Sequence, residues 1–306
     1  MSAHLKQDEP VTSNRLDGMK QGIVGQPLSR VEGLAKVTGT APYAAEYKID
    51  NVAEGVLVTA PITRGEVASI DKDSVLSMPG VLAVLDDERL TTRAAQGTAN
   101  EAPQQDPATV CYWGQPIAVV VAETFEQARD AAKHLKVEYR VHEGAPLDPH
   151  QVAPEEQEDE TVNQGNLDAA MARAAHTVDV EIATEGHASA AMEPHAAIAE
   201  WRDDKLTVHA SLQMPNYNIA ELADSLGIEE SDIRLVSRYV GGGFGSKLGV
   251  SEETVAAAIA ARELGRPVRV VMSRQQVFQC IMRRSETTQK LRLASDEEGK
   301  LDGFAH

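Results

Sequence analysis

The residues best suited to chemistry in this 306-residue chain fall in three short segments. The densest is Val240-Gly241-Gly242-Gly243-Phe244-Gly245-Ser246-Lys247, with four glycines in five positions. Such a run is costly in conformational entropy, so it is expected where the backbone takes positive φ or closely approaches a ligand. Its exposed N–H groups would form a nest suited to an oxyanion or phosphate. Two familiar phosphate motifs do not match. A Walker loop ends in Gly-Lys-Ser/Thr, and Ser246-Lys247-Leu248 stands here. A dinucleotide fingerprint opening at Gly241 needs a third glycine at 246, where the chain has Ser246. The alternative is a tight turn between a strand and a helix, for which Phe244 inside the cluster is unusual.

The second segment runs from Glu185 through His187 to Met192-Glu193-Pro194-His195. His187 and His195 are eight residues apart, a spacing that matches no common zinc pattern, so packed or loop histidines are expected. Pro194 holds Glu193 in an extended turn. Glu193 is a candidate buried carboxylate that pins a loop by accepting backbone N–H bonds. The third segment is Ser211-Leu212-Gln213-Met214-Pro215. An amide at a strand end such as Gln213 can donate to a bound oxygen, the alternative being an ordinary surface glutamine. No Ser-His-Asp arrangement is identifiable, and neither Cys111 nor Cys280 has the context of a nucleophile.

Several elements must position these segments. Residues 55–61 and 80–86 are short apolar runs bounded by Gly, Pro and Asp, which predict strands, with a short helix near 71–76. Residues 115–122 (QPIAVVVA) predict a buried strand. Thr124 caps a following helix with apolar residues at helical spacing, and 136–141 alternate as a strand. A helix near 167–174 and strands at 176–184, 197–202 and 205–211 follow. Then come a helix at 218–226 stopped by Gly227, a strand at 233–237, an Ala-rich helix at 251–264 and a strand at 268–272. The last residues read as a strand, a turn over 296–299, and a second strand that has barely begun, which suggests a truncated protein or a separately encoded half.

Composition excludes several classes. At 42% hydrophobic and 25% charged the chain is an ordinary globular one. A net charge of -18 argues against nucleic acid and anionic lipid as partners. No run of about 18 apolar residues exists to span a membrane, and the polar N-terminus lacks a signal peptide's apolar stretch. A cytoplasmic protein is expected. Two cysteines cannot hold an iron–sulfur cluster or build a disulfide framework.

The segments, in this order, resemble the large, molybdenum-binding subunit of the xanthine dehydrogenase/aldehyde oxidase family. Gly25-Gln26 through Arg30, Gly33, Lys36 and Thr38-Gly39 to Tyr43 resemble its opening. Gly114-Gln115-Pro116 with the following IAVVVAETFEQARDAA resembles its α/β hammerhead domain, and Met192-Glu193-Pro194-His195 its next signature. Gln213 and Gly241–Lys247 resemble the first half of its cofactor-binding region. The likeness covers roughly residues 23–306 and is nearest the bacterial aldehyde oxidoreductase type.

The resemblance implies an α+β fold. A flexible tail at 1–22, a hammerhead domain at 23–145, an acidic proline-containing linker at 146–165 and the first part of a molybdopterin-binding domain at 166–306 are expected. It implies a molybdenum held by the dithiolene of a pterin (in the cytosine dinucleotide form in some members), without protein side-chain ligands. Gln213 and the backbone of Gly242, Gly243, Phe244 and Gly245 would surround the cofactor, with Gln213 and Phe244 nearest the metal. Met192, Glu193, His195 and Leu248 would shape the wall of the substrate pocket. The implied reaction hydroxylates an aldehyde or azaheterocycle with oxygen from water. Electrons would leave through 2Fe-2S clusters to FAD on partner subunits.

Two departures from the family pattern matter. Purine-oxidising members carry a glutamate immediately after the loop lysine, where this chain has Leu248, which favours an aldehyde or another non-purine substrate over xanthine. The family's large subunit is more than twice as long. Its base glutamate is therefore expected beyond residue 306, and this polypeptide alone is expected to be catalytically silent. The alternatives are a subunit of a dehydrogenase for xanthine or another azaheterocycle, and a non-catalytic fragment that only binds partner subunits.

Overall fold

The computed structural model describes residues 22–23, 25–91, 106–144, 151 and 161–306. Most of the polar loop expected at 92–109, the acidic run at 155–160 and nearly all of the N-terminal tail lie outside the described residues. Chain order is α1 (Gly33–Val37), β1 (Ala53–Thr59), β2 (Gly65–Asp71), α2 (Asp73–Leu76), β3 (Val81–Leu85), β4 (Thr109–Val110), β5 (Pro116–Ala122), α3 (Phe125–His134), β6 (Lys136–Val141), α4 (Leu167–Arg173) and β7 (His176–Thr184). It continues through β8 (Ala196–Arg202), β9 (Lys205–Ala210), α5 (Pro215–Leu226), β10 (Ile233–Val236), α6 (Glu252–Leu264), β11 (Val268–Val271), α7 (Arg274–Cys280), β12 (Thr287–Ser295) and β13 (Leu301–Ala305).

The chain divides into two compact units, residues 1–41 and 42–306. Among its described residues the first holds the short helix α1, which buries none of its residues. The second holds the sheets. Its main sheet has seven strands in the order β10-β9-β8-β11-β1-β5-β3. β1 runs parallel to β11 and β9 parallel to β10, while the other pairs are antiparallel. Strands from both sides of the expected linker at 146–165 therefore share one sheet.

β5 shows why its sequence is a continuous apolar run: all seven of its residues are buried. Val119 and Val121 face one core with α6, while Ala118 and Val120 face a second core with Ala131 of α3. A strand covered on both faces needs no polar alternation. α6 is buried throughout residues 252–261, so an Ala-rich helix that is apolar nearly all round fits the core position. Gly265 ends it in the left-handed region at φ 59°, as Gly227 ends α5 at φ 67°.

The strand–helix–strand reading of 115–141 holds as elements but not as one sheet. β6 leaves the main sheet and pairs antiparallel with β2 in a three-stranded sheet ordered β4-β2-β6. β2 is absent from the sequence reading because GEVASID is only half-buried and carries too few apolar residues to stand out. The C-terminal hairpin forms as β12 and β13, with Asp296 Oδ1 accepting from the N–H groups of Glu298 and Lys300 across the turn. Among the described residues no helix is long and apolar enough to cross a membrane.

Candidate functional site

Four strand ends converge at one end of the main sheet. β9 and β10 run parallel, so both finish there, at Ala210 and Val236. β8 is antiparallel to β9 and β11, so it begins where they end. That topology brings Glu193 and His195 (before β8), Ser211 and Gln213 (after β9) and the glycine loop (after β10) to one place.

Glu193 is the hub. Its Oε2 accepts from the Gly241 N–H at 2.7 Å, the Lys247 ammonium at 3.0 Å and the Ser211 hydroxyl at 2.5 Å. Its Oε1 accepts from the Ala44 N–H at 3.3 Å. Lys247 Nζ is fully buried, and it also donates to the Glu193 carbonyl at 3.0 Å and to Ser211 Oγ at 2.8 Å. An ammonium has three donors, and all three have acceptors. Burial pushes the Lys247 ammonium below its ordinary pKa, opposed by the charge and hydrogen bond of Glu193. The carboxylate thus grips the loop near both of its ends.

Gln213 holds the loop's middle. Its Oε1 accepts from the N–H groups of Gly245 at 3.0 Å and Lys247 at 3.3 Å, and its own N–H donates to the Lys247 carbonyl at 2.7 Å. Both side-chain contacts are with donors, so the amide oxygen must face them, and Nε2 remains the donor end. Two glycines are required by contact. A Cβ on Gly243 would lie 2.2 Å from Gln213 Oε1, and one on Gly241 would lie 2.5 Å from Glu193 Cβ. Phe244 sits at φ 55°, a left-handed conformation that costs a non-glycine residue about 1–2 kcal/mol. The residue is 75% exposed.

Among the described residues, the N–H groups of Gly242, Gly243 and Phe244 make no hydrogen bond within the chain, although Gly243 is buried. Gly243 is the buried one of the three, and a buried backbone donor without a partner is rare in native folds. Beside them lies a cleft of about 980 Å³ lined by Phe244, Leu248, Ser189 and Met282, with Arg283 at its edge.

His195 lies behind the loop, 1% exposed. Its Nε2 donates to the Ser246 carbonyl at 3.0 Å, and Nδ1 has no partner. Burial lowers its pKa from 6.5 to about 4, so the neutral tautomer with the proton on Nε2 is the native one. Because the unfolded chain takes up the proton first, the native state loses stability as pH falls from about 6.5 and levels off below about 4. The loss totals about 3 kcal/mol. Denaturant unfolding between pH 7.5 and 4.5 should show a steeper acid loss for the wild type than for His195→Gln, which can still donate but does not titrate. Equal slopes would contradict the buried neutral assignment.

The remaining expected residues fall as follows. Leu248 joins Phe244 at the cleft. Met192 turns its side chain outward at 92% exposure, while its carbonyl accepts from Arg274. His187 pairs with Arg284 in an isolated β-bridge and is exposed. Neither Cys111 nor Cys280 forms a disulfide. Among the described residues no group of three His, Cys, Asp or Glu side chains could hold a metal ion.

Known proteins show the same sequence pattern. A family model described as the molybdopterin cofactor-binding domain matches residues 121–306. A second, the a/b hammerhead domain of aldehyde oxidase and xanthine dehydrogenase, matches residues 38–143. The chain belongs to the aldehyde oxidase and xanthine dehydrogenase family. The molybdenum-binding subunit PaoC of an aldehyde oxidoreductase from Escherichia coli K12 is 37% identical over 99% of this chain and 42% of its own length. The large subunit of nicotine 6-hydroxylase from Paenarthrobacter nicotinovorans is 29% identical over 96% of this chain and 38% of its own. Among solved structures, quinoline 2-oxidoreductase from Pseudomonas putida 86 superposes with a TM-score of 0.80 at 23% identity. It matches 92% of this chain and 38% of its own, a likeness of fold. The chain spans about two fifths of the length of the curated relatives it matches.

The family's cofactor is molybdopterin, and the site fits it. Its three unpartnered N–H groups and Gln213 Nε2 are donors, suited to an acceptor-rich group that brings its own metal ligands. The glycines at 241 and 243 let the loop backbone pack directly against Glu193 and Gln213.

Sequence reasoning missed the acceptors of Lys247 and the roles of Ser211 and Ser189. The Ser189 hydroxyl donates to Ser246 Oγ at 2.6 Å, and Ser246 Oγ donates to the Gly243 carbonyl at 2.8 Å. The available signal was a lysine closing a glycine loop with a glutamate upstream. Single-residue reading does not pair positions 54 residues apart.

Proposed function

We propose that this chain forms the molybdopterin-binding part of a molybdenum hydroxylase that oxidises an aldehyde, passing electrons to a 2Fe-2S subunit and an FAD subunit. The observation that carries the reading is the row of unpartnered N–H donors at Gly242, Gly243 and Phe244, held by Gln213 and Glu193. When bound, molybdopterin supplies the two-electron redox centre for inserting an oxygen from water into a substrate C–H bond. The protein's part is to hold and orient. The loop N–H groups and Gln213 Nε2 donate to the cofactor's acceptors, and Phe244 and Leu248 present an apolar wall to substrate. His195, held neutral, supports the loop from behind through Ser246.

Leu248 supports an aldehyde rather than a purine, because an apolar side chain cannot hydrogen-bond a ring nitrogen. A site lacking that bond binds such a ring poorly. A panel of aromatic and aliphatic aldehydes, xanthine and nicotinate, assayed on the protein as the cell assembles it, tests the reading. Aldehydes should give the highest kcat/KM. Preferred turnover of xanthine would overturn the substrate assignment. Bound pterin without turnover of any substrate would favour a chain that only binds cofactor and partners.

A further inference from the structure

We propose that Glu193 and Lys247 are positioning residues that set the glycine loop in its cofactor-binding shape before any cofactor arrives. The inference rests on the molybdopterin reading above. One carboxylate oxygen accepts from the first residue of the loop, Gly241, and from the side chain of the last, Lys247. The ammonium in turn ties residues 193 and 211 together. Between the anchors, Gly245, Ser246 and Lys247 donate their N–H groups within the chain, whereas Gly242, Gly243 and Phe244 do not. A plain turn leaves its free N–H groups to water, whereas Gly243 is buried. The pair also makes little sense as stability alone, because well-packed apolar residues usually hold a fold as well as a buried ion pair does. What the apolar pair cannot do is offer one nitrogen to three converging acceptors while leaving a carboxylate oxygen for Gly241. Charge here fixes position.

The test separates positioning from stability by removing one charge and then both, in the protein as the cell assembles it. Lys247→Met should lower Tm, and the uncharged pair Glu193→Gln/Lys247→Met should recover most of it. Despite that recovery, the double variant should retain less pterin, measured by fluorescence after oxidative release, by about 10–100-fold. Its cofactor-free form should exchange amide hydrogens over residues 240–247 faster by about tenfold or more than cofactor-free wild type. If pterin content and loop exchange return to wild type together with Tm, the pair serves stability alone and the proposal is overturned.

Should the variants fail to fold, cofactor-free wild type decides. Gly241, Gly245, Ser246 and Lys247 should be protected while Gly242 and Phe244 exchange freely. Free exchange across the whole loop would overturn preorganisation. Absence of pterin from the assembled wild type would defeat the molybdopterin reading and leave the exchange pattern to be judged on its own.

Discussion

Gly243→Ala should strip the protein of most of its cofactor. The new methyl would lie 2.2 Å from Gln213 Oε1, 2.5 Å from its Cδ and 2.8 Å from its Cγ, so the side chain would have to move. Moving it breaks the bonds from Gly245 and Lys247. The overlap costs about 1–3 kcal/mol, and each lost hydrogen bond about 1 kcal/mol. Pterin content should fall by about 10–100-fold, the range seen when groups supporting a bound metal are disturbed. Gly245→Ala is the matched control. Its Cβ would meet nothing within 4 Å, and its penalty is only the strain of a non-glycine at φ 94°, about 1–2 kcal/mol. It should retain far more pterin than Gly243→Ala. Equal retention by the two variants would contradict the close fit between Gln213 and the loop.

The second large effect is on stability. Among the described residues, Lys247→Met removes the only cation bonded to a carboxylate whose side chain is 10% exposed. The Glu193 charge keeps its bonds from Gly241, Ser211 and Ala44, but no opposite charge remains among its bonded partners. Breaking a buried pair from one side typically costs about 3–5 kcal/mol. For a chain of this size that corresponds to a fall in Tm of roughly 10 °C. Thermal unfolding followed by circular dichroism reads it. By contrast, Lys290→Met removes an ion pair to Glu181 in which both side chains are exposed, and should change stability by less than about 1 kcal/mol. A Lys247→Met variant that melts with the wild type would show that the Glu193–Lys247 pair adds nothing to stability.

Much of this arrangement is legible in the sequence, for identifiable reasons. β5 and α6 stand out because both are buried on all sides, so their residues are uniformly apolar or small. Gly227 and Gly265 mark helix ends because the left-handed cap needs them. The glycine loop is visible because close backbone approach leaves no room for side chains. Glu193 as a pinning carboxylate follows from a charged residue locked before proline and beside apolar neighbours. What stays hidden is long-range. β6 departs to a second sheet because β2 offers it an edge, and nothing in KVEYRV names that partner. Nothing in the glycine loop names the partners of Lys247, because the fold brings Glu193 and Ser211 to it from 54 and 36 residues away. α7 goes unread because RQQVFQC buries only Val277, too little for a helical period. His195 is quoted in a motif, but its neutral state follows from burial and from the Ser246 carbonyl, which sequence does not reveal.

The most direct test of cofactor binding is elemental. The protein as the cell assembles it, purified from molybdenum-replete cells, should be analysed for molybdenum by mass spectrometry and for pterin by fluorescence after oxidation. Release of cytidine monophosphate on hydrolysis identifies the dinucleotide form. Molybdenum and pterin in equal amounts, stoichiometric with the chain and depleted together in Gly243→Ala, are the expected result. A folded wild-type protein, assembled with its partners and free of both, would contradict the claim that this loop holds molybdopterin.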